Sequence, residues 1–440
     1  MSSPGSPASR PAPVRIDLAH PSFDPDVEAA RRAMAETATA IRLEPDALLG
    51  AAVAETGLDD FGDDGFRDRL ALLCGAMRTE AQLGPPGVVA AHSQLLQLLR
   101  NRLLLEDLFR RHPEIAEVPI VAPIVIAGLP RTGTTHLHNL MASGPALRSL
   151  PYWESLEPVL PAREETGPLG GPDDPRRART QAGLDFLDAA LPHFKRMHEM
   201  TVDHVHEEIQ LLAIDFSTML FETMAPMPSW RDHYLTADQT PHYAYLKRVL
   251  QALQWQRGGE RWLLKSPQHI EQFGPLVEVF PDATFVVTHR DPVAVTLSVG
   301  TMLAYSSWLS AARPDPARIG GYWAERLETM LRACARDRDA LPADQTIDVH
   351  FDEFMADDVA MVERIYELAG QPMTDGTRAA MDAFMAANPR GRHGAVVYDF
   401  ADLGLEREAV RAATAFYTEH FDVTEEPEAR ISGAGILRRP

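Results

Sequence analysis

The sequence predicts an α/β fold, a phosphate-loop type of parallel sheet flanked by helices, with a helical N-terminal subdomain and a helical insertion. Three observations lead there. Short apolar, β-branched-rich runs recur along the chain, each followed by a helical pattern. A glycine-bracketed loop joins the first such run to its helix. The stretch before that run carries only the three- and four-residue apolar spacing of helices.

In chain order, residues 1–22 begin with the Ser/Pro-rich MSSPGSPASRPAPV, which lacks the apolar core of a signal peptide, and are expected to form a disordered leader. Residues 23–118 form the helical subdomain, with helices expected at Asp26–Ala40, Asp46–Thr56, Gly65–Leu83 and Val88–His112. This unit reads as a packing element, and a homodimer built on it is compatible with the pattern. Residues 119–440 form the α/β domain. Its strands are expected at Ile124–Ala127, confined by Pro123, and at Arg261–Leu264, Thr284–Thr288 and Thr346–His350. Helices are expected from about Ile270, over Val293–Ala304 and over Val359–Ala369. A polar Pro/Gly loop at 161–179 opens the insertion, about 160–257, which is rich in His, Met and aromatic residues. Most of those apolar side chains are expected in core, the rest against an acceptor. A sheet of this kind binds its ligands at the carboxyl ends of the strands.

Composition narrows the function. The 440 residues are 45% hydrophobic, enough for a sizeable core. With 42 Lys plus Arg against 63 Asp plus Glu, the net charge of −21 argues against nucleic acid or an anionic membrane as partner. An anionic ligand then needs a locally basic pocket. Two cysteines, Cys74 and Cys334, exclude a disulfide framework and a Cys-based zinc site. They fit buried free thiols in a reducing, cytoplasmic compartment. No apolar run has the length of a membrane span.

The loop Gly128-Leu-Pro130-Arg131-Thr132-Gly133-Thr134-Thr135 has two glycines five apart, so its amides and the following helix start can cradle an anion. A Walker A loop has Lys after the second glycine; here that position is Thr134, and the basic residue is Arg131. Nucleoside triphosphate with magnesium is therefore a poor fit. A second motif, HRDPVAVTLS, places Arg290 at a strand end and Ser298 nearly two turns along a helix starting at Pro292, where both could grip a further phosphate.

Together the two motifs resemble those of the sulfotransferases that use 3′-phosphoadenosine 5′-phosphosulfate (PAPS), over about residues 120–420. The likeness is strongest to the bacterial branch, whose LKSP-H and HRDP segments match Leu264-Lys265-Ser266-Pro267 with His269 and His289–Pro292. The resemblance implies that Pro130, Arg131, Thr132, Gly133, Thr134 and Thr135 wrap the 5′-phosphosulfate and that Arg290 and Ser298 hold the 3′-phosphate. It also makes Arg392, in Arg392-His393-Gly394, a version of the family's terminal cofactor loop. The cytosolic small-molecule enzymes have Lys at Arg131, an adenine-stacking Trp at His136 and a catalytic His at Pro267, so the adenine platform and the proton acceptor must be found afresh.

Sulfuryl transfer needs fixed positive charge and a proton acceptor. Arg131 and Lys265 are the expected cations. Glu154, beside Trp153 and Tyr152, is the first candidate base, His269 the second, and His198 with Glu208 the third. Trp153, His198 and Glu208 are placed on the acceptor side. His198, His204 and His206 are not expected to bind a metal, because the 204/206 spacing is that of a strand. The acceptor is read as a small, apolar hydroxyl compound or amine. A P-loop kinase or nucleotide hydrolase, and a non-catalytic nucleotide-binding protein on the same fold, stay open as alternatives at this point.

Overall fold

The structure, a computed structural model, describes residues 11–164 and 167–431. Four helices form the N-terminal layer: α1 Pro25–Ala38, α2 Pro45–Thr56, α3 Phe66–Thr79 and α4 Pro85–Arg111. Proline stands in the first turn of α1, α2 and α4, where its missing N–H costs nothing. The long α4 buries Leu95, Leu99, Leu103 and Leu105, and α1 and α2 pack along it.

The sheet strands are β1 Ile124–Ala127, β4 Leu263–Ser266, β5 Thr284–His289 and β6 Thr346–His350. Between β1 and β4 in the chain, β2 Leu150–Pro151 and β3 Val205–His206 pair antiparallel as a small separate ladder. The four-stranded sheet is parallel throughout, in the order β4-β1-β5-β6. Alternate β1 residues serve two cores. Val125 and Ala127 join the large core of the N-terminal layer and insertion, while Ile124 and Ile126 pack with Leu137, Leu140, Val362 and Ile365. β4 and β5 flank β1, so the chain reverses direction across the sheet at β1, and this crevice is where such folds bind ligands.

Three expectations need correction. Residues 1–10 of the expected leader lie outside the described residues, but from Pro11 the chain is packed rather than disordered. Val14 bridges to Val396, and Ile16 and Leu18 are buried. The second sheet strand starts two residues later than expected, because the backbone at Arg261 and Trp262 pairs with Arg148, outside the four-stranded sheet, while the Trp262 side chain is buried in the core. Arg261 reaches the carbonyls of Ala122 and Ala369, and Trp262 Nε1 donates to Gln254. Finally, the insertion is helical only in part. Helices cover Pro175–Ala190, Pro228–Thr236 and Thr240–Arg257, but the stretch from 191 to 227 is made mostly of short turns plus β3. Most of its large apolar side chains, Met219, Phe221, Met227 and Trp230 among them, are core. Asp215 anchors this stretch to the N-terminal layer, accepting from Arg102 at 2.8 Å and Arg69 at 3.0 Å.

Candidate active site

The glycine loop leaves β1 at Gly128 and enters α5, Thr134–Ala142. A Cβ at Gly128 would lie 1.9 Å from Thr288 Oγ1, so only glycine lets β1 and β5 close up here. Gly133 caps α5 with φ +89°, and Arg131 itself adopts φ +72°, a left-handed backbone that costs a non-glycine residue about 1–2 kcal/mol. Thr132, buried in the loop, donates to the Leu129 carbonyl and meets Thr288 Oγ1 at 2.7 Å. Strain of this kind is typical of functional loops.

Three cations stand at the neighbouring strand ends. Arg131 Nε donates to Ser298 Oγ at 3.0 Å, and its Nη1 donates to the Met197 carbonyl. Arg290, after β5, donates to the Arg131 carbonyl at 2.5 Å, with its guanidinium 4.0 Å from the centre of the Phe351 ring. Its other nitrogens hold Glu426 at 2.5 and 3.1 Å. Ser298 therefore touches Arg131 rather than Arg290, and the two arginines are coupled through the loop backbone. Lys265 pairs with Ile126 in register and is only 2% exposed. Its ammonium is held by Glu207, while its backbone N–H donates to Glu208 at 2.9 Å.

Four imidazoles surround Lys265. His138, His198 and His206 are held well below the ordinary histidine range and His204 is pushed down to about 4, first by burial and then by neighbouring positive groups, Lys265 among them. Arg131 also depresses His198, so that ring feels both loop and strand cations. Among the described residues, neither ring nitrogen of His206 has a hydrogen-bond partner. Among the described residues no group of three or more His, Cys, Asp or Glu side chains is arranged to hold a metal.

The other candidates are held by partners of their own. Glu154 is fully buried, with Arg148 on one oxygen at 2.8 Å and Arg257 on the other at 2.7 Å. Arg148 bridges to Trp262, just before β4 begins, whereas the glycine loop lies at the opposite, carboxyl end of the sheet. Glu154 is thus corrected from free proton acceptor to the anchor of an ion-pair network. Trp153 belongs to the same network, its ring 4.5 Å from Arg176 and 4.8 Å from Arg257. His269 is fully buried with both nitrogens engaged, by Tyr243 at 2.8 Å and by Glu208, so it too is not the free proton acceptor expected. His136 faces Asp358 at 2.8 Å, beside Phe354 and Phe384. Arg392 reaches the site's rim, donating to Glu199 at 2.5 Å, with His393 on the same oxygen at 3.0 Å. Glu207 and Glu426 were missed from the sequence, although Glu207 adjoins the singled-out His206 and Glu208.

No helix of the described residues is long and apolar enough to cross a membrane. The sulfotransferase family model matches residues 123–375. Among solved structures, sulfotransferase STF9 from Mycobacterium avium is 29% identical, with 88% of this chain and 99% of that chain covered at a TM-score of 0.77. Sulfotransferase STF1 from Mycobacterium tuberculosis H37Rv is also 29% identical, with 84% and 98% covered at a TM-score of 0.73. No curated protein matches. Because the family match spans more than half of the sequence and takes in the glycine loop, Lys265, Arg290 and Ser298, the chain belongs to the sulfotransferase family.

Proposed function

We propose that the protein transfers a sulfuryl group from PAPS to the hydroxyl, or amine, of a small apolar acceptor by in-line displacement. The observation that carries this reading is the coupling of Arg131 and Arg290 through one carbonyl beside a cradle that only glycine can close. It supports two anion subsites at the ends of adjacent strands, as a nucleoside with phosphates on both its 5′ and 3′ oxygens requires. PAPS supplies an activated sulfuryl group; the chain supplies position and charge.

On this reading the amides of 131–135, Thr134, Thr135 and the start of α5 hold the 5′-phosphosulfate. The planar guanidinium of Arg131 spans the bridging and sulfuryl oxygens, and Lys265 neutralises charge arriving on the leaving phosphate. Arg290, Ser298 and Arg392 take the 3′-phosphate. The net charge of −21 supports a small uncharged acceptor over a polyanionic one. The two buried free thiols, Cys74 and Cys334, support a reducing, cytoplasmic location.

Calorimetric titration with 3′-phosphoadenosine 5′-phosphate (PAP), against ADP and AMP with EDTA present, tests the reading. Binding is expected to require the 3′-phosphate, to need no magnesium, and to be lost in Arg290→Ala. Equal binding of ADP, or binding only with magnesium, would sink it.

A further inference from the structure

Resting on the donor reading above, we propose that Glu207 is the catalytic proton acceptor, held by Lys265 until the donor's phosphate takes that lysine away. Four observations lead to this residue. It is the one carboxylate paired with the Lys265 ammonium among the described residues. Its side chain is 21% exposed while Lys265 is 2% exposed, so it stands between the buried cation and solvent and can pass a proton outward. Its neighbour Glu208 is 1% exposed and engaged on both oxygens, by the Lys265 amide and by His269, which fixes the backbone from which Glu207 projects. The remaining bases that face Lys265 are His138, His198, His204 and His206, and a proton taken up by any of them would place a second positive charge beside that ammonium, whereas a proton on Glu207 only neutralises a carboxylate.

The chemistry balances. A lone pair of the acceptor oxygen forms the new O–S bond as the bond from sulfur to the bridging phosphate oxygen breaks, and its electron pair leaves on the 5′-phosphate beside Lys265. The acceptor's hydroxyl proton passes to the Glu207 carboxylate and from there to water. No oxidant or metal enters. The Lys265–Glu207 pair thus acts as an exchange: the arriving anion claims the ammonium, and the freed carboxylate faces the acceptor. A base in this role contributes about 10²–10⁴-fold to the rate.

The test compares wild type with Glu207→Gln and Glu207→Asp. Turnover is read as PAPS hydrolysis, with water as acceptor; donor-site affinity is read by PAP calorimetry. Glu207→Gln is expected to turn over about 100-fold more slowly and to bind PAP several-fold more tightly. The last effect follows because Lys265 no longer has a competing carboxylate. Glu207→Asp should recover part of the rate. Wild-type turnover in Glu207→Gln would overturn the proposal, and so would parallel losses of turnover and PAP affinity, which a purely structural role gives. Failure of wild type itself to bind PAP would instead overturn the donor reading on which the proposal rests.

Discussion

Glu426 lies on Arg290 with both oxygens, where the proposed reading puts a phosphate. Its backbone N–H donates to Asp291 at 2.8 Å, and Arg411 bridges Asp291 and Glu425, so the segment is pinned in place by more than one contact. A charge-assisted bidentate pair at a half-buried arginine competes directly with a phosphate there. Glu426→Gln is therefore expected to tighten PAP binding several-fold while leaving AMP binding unchanged, since AMP has no 3′-phosphate. Calorimetry with both ligands checks this; equal gains for both would show that Glu426 acts elsewhere. At this scale the sequence revealed the cations and hid their partners. Arg131, Lys265 and Arg290 stand in motifs with fixed spacing to a strand, whereas Glu426 meets Arg290 from 136 residues away. Glu154 misled for the same reason: its neighbours in sequence suggest a base, but Arg257, which takes one of its oxygens, lies 103 residues on.

Among the elements, β1 and β6 run over the residues predicted for them: β1 is a buried central strand with a continuous apolar signal, while β6, the half-buried edge strand, is marked by Thr346, Ile347 and Val349. The 191–227 stretch was misread as helix. Its apolar residues fill core pockets from short turns, so no single period describes them. The N-terminal strap was misjudged on composition. Val14 exchanges backbone bonds with Ala395 and Val397, the Leu18 carbonyl accepts from Trp308 at 2.9 Å, and Arg15 pairs with Asp399 and Asp402. Deleting residues 1–19 should lower stability by about 3–6 kcal/mol, taking about 1.5–3 kcal/mol for each of two buried aliphatic side chains, Ile16 and Leu18. Denaturant unfolding measures the difference, and an unchanged midpoint would show that the strap only decorates the surface.

For the whole molecule, the imidazole cluster ties stability to pH. His138, His198, His204 and His206 stay neutral in the folded chain but protonate near 6.5 when unfolded, so the unfolded state binds more protons. Their contribution is complete above 6.5 and is lost as pH falls from there towards about 4, the value for His204. Each group that resists protonation removes about 1.4 kcal/mol per pH unit across that window. The melting temperature should therefore drop between pH 7 and pH 5, and His206→Asn should flatten the drop; a flat profile in wild type would contradict the arrangement. The α/β class and a site at the carboxyl ends of the strands follow from local patterns. Which carboxylate faces which cation depends on loops without any.

Every cation around the glycine cradle already has a partner within the chain: Arg131 the Met197 carbonyl, Lys265 Glu207, and Arg290 Glu426. On the proposed reading, a ligand enters by trading places with these groups rather than by filling an electrostatic vacancy. A lone sulfate or phosphate can displace one of them and gains little from the trade. A nucleoside phosphorylated at both ends displaces several in one step, its rigid sugar joining the separate exchanges into one event. The internal pairing is in this sense a filter, turning away the abundant small anions of the cell by keeping their places taken.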